Sequence, residues 1–356
     1  MPSWPSGREC SRGGEGLGRP CIYRSDFAGP SDPNALVARA PHARNRHETG
    51  TKPAALTGWN NTIRGVTDRR PTTPNPMNDF SRITVCAVDC VTPKLAARAL
   101  ERSMKQCDFA DALLLTDQAV DTRARVEKIG PIGSQTEYSR FMLRELGPYI
   151  RTDYVLVVQW DGFVLDASQW RSGFLDFDYI GARWPWHPTG SDVGNGGFSL
   201  RSRRLLEALA SPGFVHADAP EDDLICRRNR TYLEQAHGIR FAPAEVAERF
   251  AYESGEPQRP TFGFHGLFNL WRHLDEGQVL AIADSLPART CLSRAFVDLQ
   301  MTYLQQRKYW MVGAMYRLMS RAGDRQAVLA AYGQAMPDAE VPEALVSLCE
   351  RLIQGT

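Results

Sequence analysis

The sequence predicts an α/β fold, a sheet of nucleotide-binding type flanked by helices and followed by a small all-α C-terminal domain. Three observations lead there. Two near-continuous apolar runs, Ile83-Thr-Val-Cys-Ala-Val-Asp-Cys-Val91 and Tyr154-Val-Leu-Val-Val158, have the character of strands buried on both faces. The segments after them carry apolar residues at helical spacing. Beyond about Leu274 every periodic stretch is helical.

Composition sets the outer limits. A chain of 356 residues, 43% hydrophobic, buries one large core or two modest ones. A net charge of +1 gives no case for nucleic acid or a polyanionic surface as partner. The 8 cysteines show neither Cys-x-x-Cys spacing nor a Cys/His cluster of zinc type, which points to reduced thiols in a cytoplasmic protein. No apolar run approaches the roughly 20 residues of a transmembrane helix, and no apolar signal region follows the basic residues of the N-terminus. The Asn-x-Thr triplets at Asn60 and Asn229 have meaning only in a secretory compartment.

Residues 1–76 are crowded with Gly, Pro, Arg and Ser and lack apolar periodicity, so they are expected to be a disordered extension, with Met77 an alternative start. The ordered domain is expected over 77–273. Its first strand begins at Ile83; Thr92 and Pro93 open a helix with Leu95, Ala96, Ala99 and Leu100 on one face, and Asp111 to Asp117 forms the next strand. Strand, helix, strand at this spacing is a βαβ unit, which requires a parallel sheet. Ser134-Gln-Thr-Glu137 is a capping box that opens a helix ended by Gly147-Pro148.

The stretch that organises the rest is Tyr154-Val-Leu-Val-Val-Gln-Trp-Asp-Gly-Phe-Val-Leu-Asp166, an apolar strand tipped by Gln159, Trp160 and Asp161. The carboxyl end of a strand in an open α/β sheet faces the ligand crevice, so Asp161 is placed to hold a metal or a sugar; a plain Asp-Gly turn is the competing reading. In Asp178-Tyr-Ile-Gly-Ala-Arg-Trp-Pro-Trp186, Trp184 and Trp186 form either a stacking platform for a sugar or a lid packed on the core. The block Gly194-Asn195-Gly196-Gly197 permits positive φ and close approach of a ligand to the main chain, and Phe198 to Leu200 returns to strand pattern. It lacks the features of a P-loop or a dinucleotide fingerprint. Arg203 to Ala210 reads as a helix with Leu205, Leu206 and Leu209 inward.

Glu221, Asp222 and Asp223 are consecutive acids that raise one another's pKa, which suits a proton acceptor; an exposed acidic helix N-terminus is the structural alternative. Phe241 to Phe250 is expected to include a late strand or sheet edge, and Thr261-Phe-Gly-Phe-His-Gly266 is a compact apolar piece around His265, a residue as consistent with a hydrogen-bonded core position as with a ligand. Five helical stretches between 278 and 353, broken by Gly or Pro, define a helical accessory domain over 274–356 that offers a surface for protein contacts.

Taken in order, the acid-tipped strand, Asp-Tyr-Ile-Gly-Ala, Val-Gly-Asn-Gly-Gly-Phe-Ser-Leu-Arg, Pro-Glu-Asp-Asp and Phe-Gly-Phe-His-Gly resemble the glycosyltransferase-like domain of unknown function 5672 family, of GT-A type, over about residues 82–270. The blocks Val193 to Ser199 and Glu221 to Asp223 are similar, more distantly, to those of the β-1,4-galactosyltransferases. The resemblance implies a nucleotide-sugar donor, a glycan or other hydroxyl acceptor, polysaccharide biosynthesis, and often Mn2+ or Mg2+ at an Asp-x-Asp motif. Carried over by position, Asp161 is the metal-ligating end of that motif and His265 the late metal ligand. Gln159 replaces the first Asp, which weakens a metal site but leaves an amide for ribose hydroxyls. Asp222, with Glu221 beside it, stands at the catalytic acceptor-side acid of an inverting displacement; Trp184, Trp186 and Gly194 to Gly197 stand at the sugar. The alternative from another class is a non-catalytic carbohydrate- or nucleotide-binding module.

Overall fold

A computed structural model describes residues 80–354 apart from Pro337 and Ala339. The N-terminal extension expected over 1–76, with Asn60, Cys10 and Cys21, lies outside the described residues. The elements run β1 (Ile83–Val88), α1 (Pro93–Gln106), β2 (Asp111–Thr116), β3 (Arg125–Lys128), α2 (Gln135–Arg144), β4 (Tyr154–Val158), β5 (Tyr179–Ile180), β6 (Phe198–Ser202), α3 (Arg203–Leu209), α4 (Glu221–Asp223), α5 (Arg230–His237), α6 (Ala244–Phe250), β7 (Ala251–Tyr252) and β8 (Gly263–Phe264). The helices α7 (Glu276–Ala283), α8 (Ala288–Cys291), α9 (Arg294–Gln305), α10 (Tyr309–Ala322), α11 (Arg325–Ala335) and α12 (Glu340–Gln354) follow.

The main sheet has the order β3-β2-β1-β4-β6-β5. Strands β1 to β4 are mutually parallel, as the βαβ spacing requires, and β6 pairs antiparallel with β4. Successive strand residues point to opposite faces. Ile83, Val85, Leu114, Leu156 and Val158 pack with α1, whereas Cys86, Val88, Leu113, Val155 and Val157 pack with α2 and α3. The C-terminal helices share a third apolar cluster with Leu95 and Ala99, so α1 lies between the sheet and those helices. The chain is thus a mixed α/β structure with a central sheet flanked by helices and a helical C-terminal region.

Local expectations fare unevenly. The capping box is present: Ser134 Oγ accepts from Glu137 N, and Glu137 Oε2 accepts from Ser134 N. Thr92 is the N-cap residue of α1, but its hydroxyl donates to Asp89 instead of capping; Asp89 accepts the amides of Val91 and Thr92. The segment read as including a late strand or sheet edge holds both a bridge and a helix: Phe241 pairs with Tyr179 of β5 at the sheet edge, and after Pro243 the chain forms α6, in which Ala247 and Phe250, three residues apart, bury one face. Asn229 is buried and bonded to the main chain of Val215 and Leu224, which removes it as a glycan acceptor. None of the six cysteines of the described residues is paired. No helix of the described residues is long and apolar enough to cross a membrane.

Candidate functional site

Because β4 and β6 are antiparallel, with Val158 opposite Phe198, the residues leaving β4 meet those entering β6. Register alone therefore sets Gln159, Trp160 and Asp161 against the turn Gly194–Gly197. A third segment is stitched on by β8, where Val164 bridges Gly263 and Leu165 N donates to Phe262 O. This carries His265 to the same edge. Gly162 allows the approach: a Cβ there would lie 2.8 Å from Phe264 O. Asp161 does sit in a turn closed by Gly162 N to Gln159 O, as the turn reading expects.

His265 is the hub. Its Nε2 lies 3.1 Å from Gln159 Oε1 and 3.3 Å from Asp161 Oδ1. Its Nδ1 lies 2.9 Å from Glu253 Oε1 and 3.1 Å from Asn195 Nδ2. Burial by itself lowers the pKa of this ring, but the Asp161 and Glu253 carboxylates outweigh it and hold the imidazole well above the usual histidine range. Asp161 Oδ2 also accepts the amide of Leu267 at 3.0 Å.

The glycine block is explained by close approach more than by backbone freedom. Only Asn195 of the four has positive φ, 60°. A Cβ on Gly197 would meet His265 Nε2 at 2.0 Å, and one on Gly196 would meet Glu221 Oε1 at 2.2 Å. Gly194 lies against the ring of Trp184. Trp184 is 2% exposed, so the stacking role expected of it is corrected: its face is covered by the turn and cannot receive a sugar. Trp186 is half-buried and edge-on to His187, packed against the core on the α2 and α3 side of the sheet.

On the other side of the turn, Gly196 N donates to Asp222 Oδ2 at 2.9 Å. The acids do form a helix N-terminus, but a buried one, with Asp222 8% exposed. Burial raises the Asp222 pKa most and the Glu221 charge adds to it; the amides of Gly196 and Asp223 and the charge of Arg201 pull back, leaving it at about 7. Glu221, expected as a second catalytic acid, is instead committed to an ion pair with the fully buried Arg201, 3.1 Å away. Arg201 also holds Ser199 Oγ and Gly196 O, so it braces the turn from below. Asp223 faces Arg227 and Arg228.

Beside this cluster a cavity of about 180 Å³ opens at the tips of β1 and β4, lined among others by Asp89, Thr92, Ser134, Tyr138, Gln159 and Arg289. Gln159 joins the two, since its Nε2 donates to Tyr138 Oη while its Oε1 faces His265. Asp89, Arg201, Glu253 and Arg289 are absent from the sequence-based assignment. A polar Arg201 ending the apolar strand Phe198–Leu200 is the one available signal.

For a divalent cation, the donor set is one carboxylate oxygen, one amide oxygen and one imidazole nitrogen. The 3.1 and 3.3 Å spacings of the two oxygens from Nε2 match the edge of an octahedron with ligands about 2.2–2.3 Å from the metal. Among the described residues no group of three or more His, Cys, Asp and Glu side chains forms a metal cage. The residues fit a cation that takes its remaining ligands from an anionic substrate and water.

Over residues 122–265 the chain matches the family described as Protein of unknown function (DUF5672), a span that contains Gln159, Asp161, the Gly194–Gly197 turn, Asp222 and, as its last residue, His265. No curated protein matches the chain. Among solved structures it is similar to the mannosyltransferase PcManGT from Pyrobaculum calidifontis in complex with GDP-Man and Mn2+, at 12% identity and a TM-score of 0.34, covering 76% of this chain and 85% of that one. It is also similar to the apo-form glycosyltransferase GlyE of Streptococcus pneumoniae TIGR4, at 12% identity and a TM-score of 0.33, covering 52% of this chain and 54% of that one.

Proposed function

We propose that this chain transfers a sugar from a nucleotide-sugar donor to an acceptor hydroxyl, with residues 77–273 carrying the chemistry on a GT-A-like scaffold. The observation that supports it best is the meeting of Asp161, His265 and Asp222, remote in sequence, around one turn: His265 contacts Asp161, and Asn195 and Gly196 of the turn contact His265 and Asp222. The cavity at the tips of β1 and β4 is the place for the nucleotide, with Asp89 and Gln159 as polar partners for ribose hydroxyls.

In this reading Asp222 accepts the hydroxyl proton of the acceptor as its oxygen attacks the anomeric carbon. The bond from that carbon to the donor phosphate breaks, and its electron pair leaves with the nucleoside diphosphate, giving inversion in a single displacement. A pKa of about 7 suits the task, because about half of the group is ionised at neutral pH and that form is basic enough to take a proton. The buried Arg201–Glu221 pair and the Gly196 amide fix the Asp222 carboxylate in place. Mn2+ or Mg2+, held by Asp161 and His265, would neutralise negative charge on the departing diphosphate.

The alternative, a binding module for a carbohydrate or nucleotide, draws support from His265, whose ring nitrogens both face carboxylates already, and from an amide at Gln159. Incubation with a panel of nucleotide sugars and Mn2+, with hydrolysis or transfer as readout, separates the readings. Turnover lost in Asp222→Asn with donor binding kept supports the transferase; donor binding with no turnover in the unsubstituted chain sinks it.

A further inference from the structure

A second cavity, of about 240 Å³, lies between α1 and α7 and is separated from the first by Trp160, which lines both. Its walls are apolar, with Leu95, Phe163 and Ile282 among them, yet Arg98 and Arg102 both line it. These two arginines are one helical turn apart on α1, on the same face. Neither makes a hydrogen bond or ion pair with another described residue, whereas arginines elsewhere in the structure, such as Arg125 and Arg183, are paired with acids. The half-buried Arg102 lies over the ring of Phe163 at 5.2 Å, which fixes its guanidinium within the cavity.

The acids nearby are otherwise engaged. Glu101, adjacent in sequence, accepts from Thr122 Oγ1, and Asp275 caps α7 by accepting from Gln278 N at 2.8 Å. Burial and then the charge of Arg98 lower the pKa of Arg102, with Asp275 acting in the opposite direction but not in contact. Two like charges held one turn apart repel each other. A doubly charged oxyanion between them removes that repulsion and satisfies planar donors suited to phosphate oxygens.

We propose that the cavity between α1 and α7 binds a phosphate-bearing ligand, its phosphate held by Arg98 and Arg102 and its attached body lying on the apolar walls formed by Leu95, Phe163 and Ile282. The site is independent of the proposed transfer reaction. Because it shares Trp160 with the other cavity, a ligand here contacts a residue flanked by Gln159 and Asp161.

The test is calorimetric titration of the full chain with inorganic phosphate and, below its micelle-forming concentration, with n-octyl phosphate, at matched ionic strength. The unsubstituted protein is expected to bind n-octyl phosphate, and R98Q/R102Q to bind it at least tenfold more weakly. Tighter binding of n-octyl phosphate than of inorganic phosphate supports the proposal; equal binding shows that the apolar walls hold no part of the ligand and overturns it. If the double variant does not fold, R98Q alone decides, since Arg98 is exposed and bonds to no described residue; a loss of threefold or more is then required. Equal affinity in the folded variant, or no binding of either probe to the unsubstituted chain, overturns the proposal.

Discussion

Gly196 and Asp222, 26 positions apart, are joined by a 2.9 Å hydrogen bond from the glycine amide to the carboxylate. The same glycine has its carbonyl held by Arg201, which in turn holds Glu221. One turn thus sets the position of the candidate base and the ion pair behind it.

The first prediction concerns pH. With its pKa raised to about 7, Asp222 is protonated below that point and ionised above it. If it is the base, kcat rises with pH and is half-maximal near 7, and Asp222→Asn removes the limb together with at least ~100-fold of the rate, the usual scale of general-base catalysis. A pH–rate profile that is flat between pH 6 and 8 contradicts the assignment.

The same shift has a sign for stability. An acid whose folded pKa lies above its unfolded one holds its proton longer in the native state, so its stabilising contribution is full below about 4 and is lost as pH rises through about 7. An amide at this position does not titrate and has no such loss. Between pH 5 and pH 8, Asp222→Asn is therefore expected to gain stability relative to the original chain, by on the order of 1–3 kcal/mol at ~1.4 kcal/mol per pH unit. Urea denaturation at the two pH values measures it; no relative change means Asp222 is not buried as described.

Arg201 is fully buried and Glu221 nearly so. Removing one member of such a pair leaves an unpaired charge, so Arg201→Met or Glu221→Gln is expected to destabilise by about 3–5 kcal/mol, with the double replacement costing much less than the sum. Denaturant melts arranged as a double-mutant cycle test this. Additive losses would show that the two side chains do not interact.

Much of the scaffold is legible in the sequence because it depends on local pattern. The apolar runs of β1 and β4, the capping box at Ser134 and the helical character of the C-terminus each signal themselves within a few residues, although the short α8 (Ala288–Cys291) is not among the five stretches read there. β3 gives no such signal, because Arg125-Val-Glu-Lys128 is short and charged and is a strand only through pairing with β2. Of Phe241 to Phe250 only Phe241 reaches the sheet edge, by pairing with Tyr179; the rest is helical because Ala247 and Phe250 share a buried face, a contact the local pattern does not announce. In the site, the acids and His265 stand out by chemical type. The burial of Trp184 under Gly194 and the Arg201–Glu221 pair do not, because both arise from contacts between segments whose separation in sequence carries no periodic signal.

The last prediction tests why Gly197 is a glycine. Its φ lies outside the left-handed region, so an alanine is permitted by the backbone, but the added Cβ would lie 2.0 Å from His265 Nε2 with the ring edge behind it. The ring cannot retreat freely, because Glu253 and Asn195 hold its far nitrogen and Asp161 and Gln159 face the near one. Gly197→Ala is therefore expected to cost about 1–3 kcal/mol of stability, the usual scale of overpacking. If Asp161 and His265 hold a divalent cation, it also weakens Mn2+ binding in the presence of a nucleoside diphosphate by roughly tenfold or more, ~1.4 kcal/mol. Gln159→Asp moves affinity the other way, since a charged oxygen replaces an amide oxygen beside the same nitrogen. Calorimetric titration of Mn2+ into the two variants distinguishes a cation site from a purely structural cluster: a structural cluster loses stability in Gly197→Ala with no Mn2+ effect in either variant, whereas a cation site shows opposite shifts in affinity.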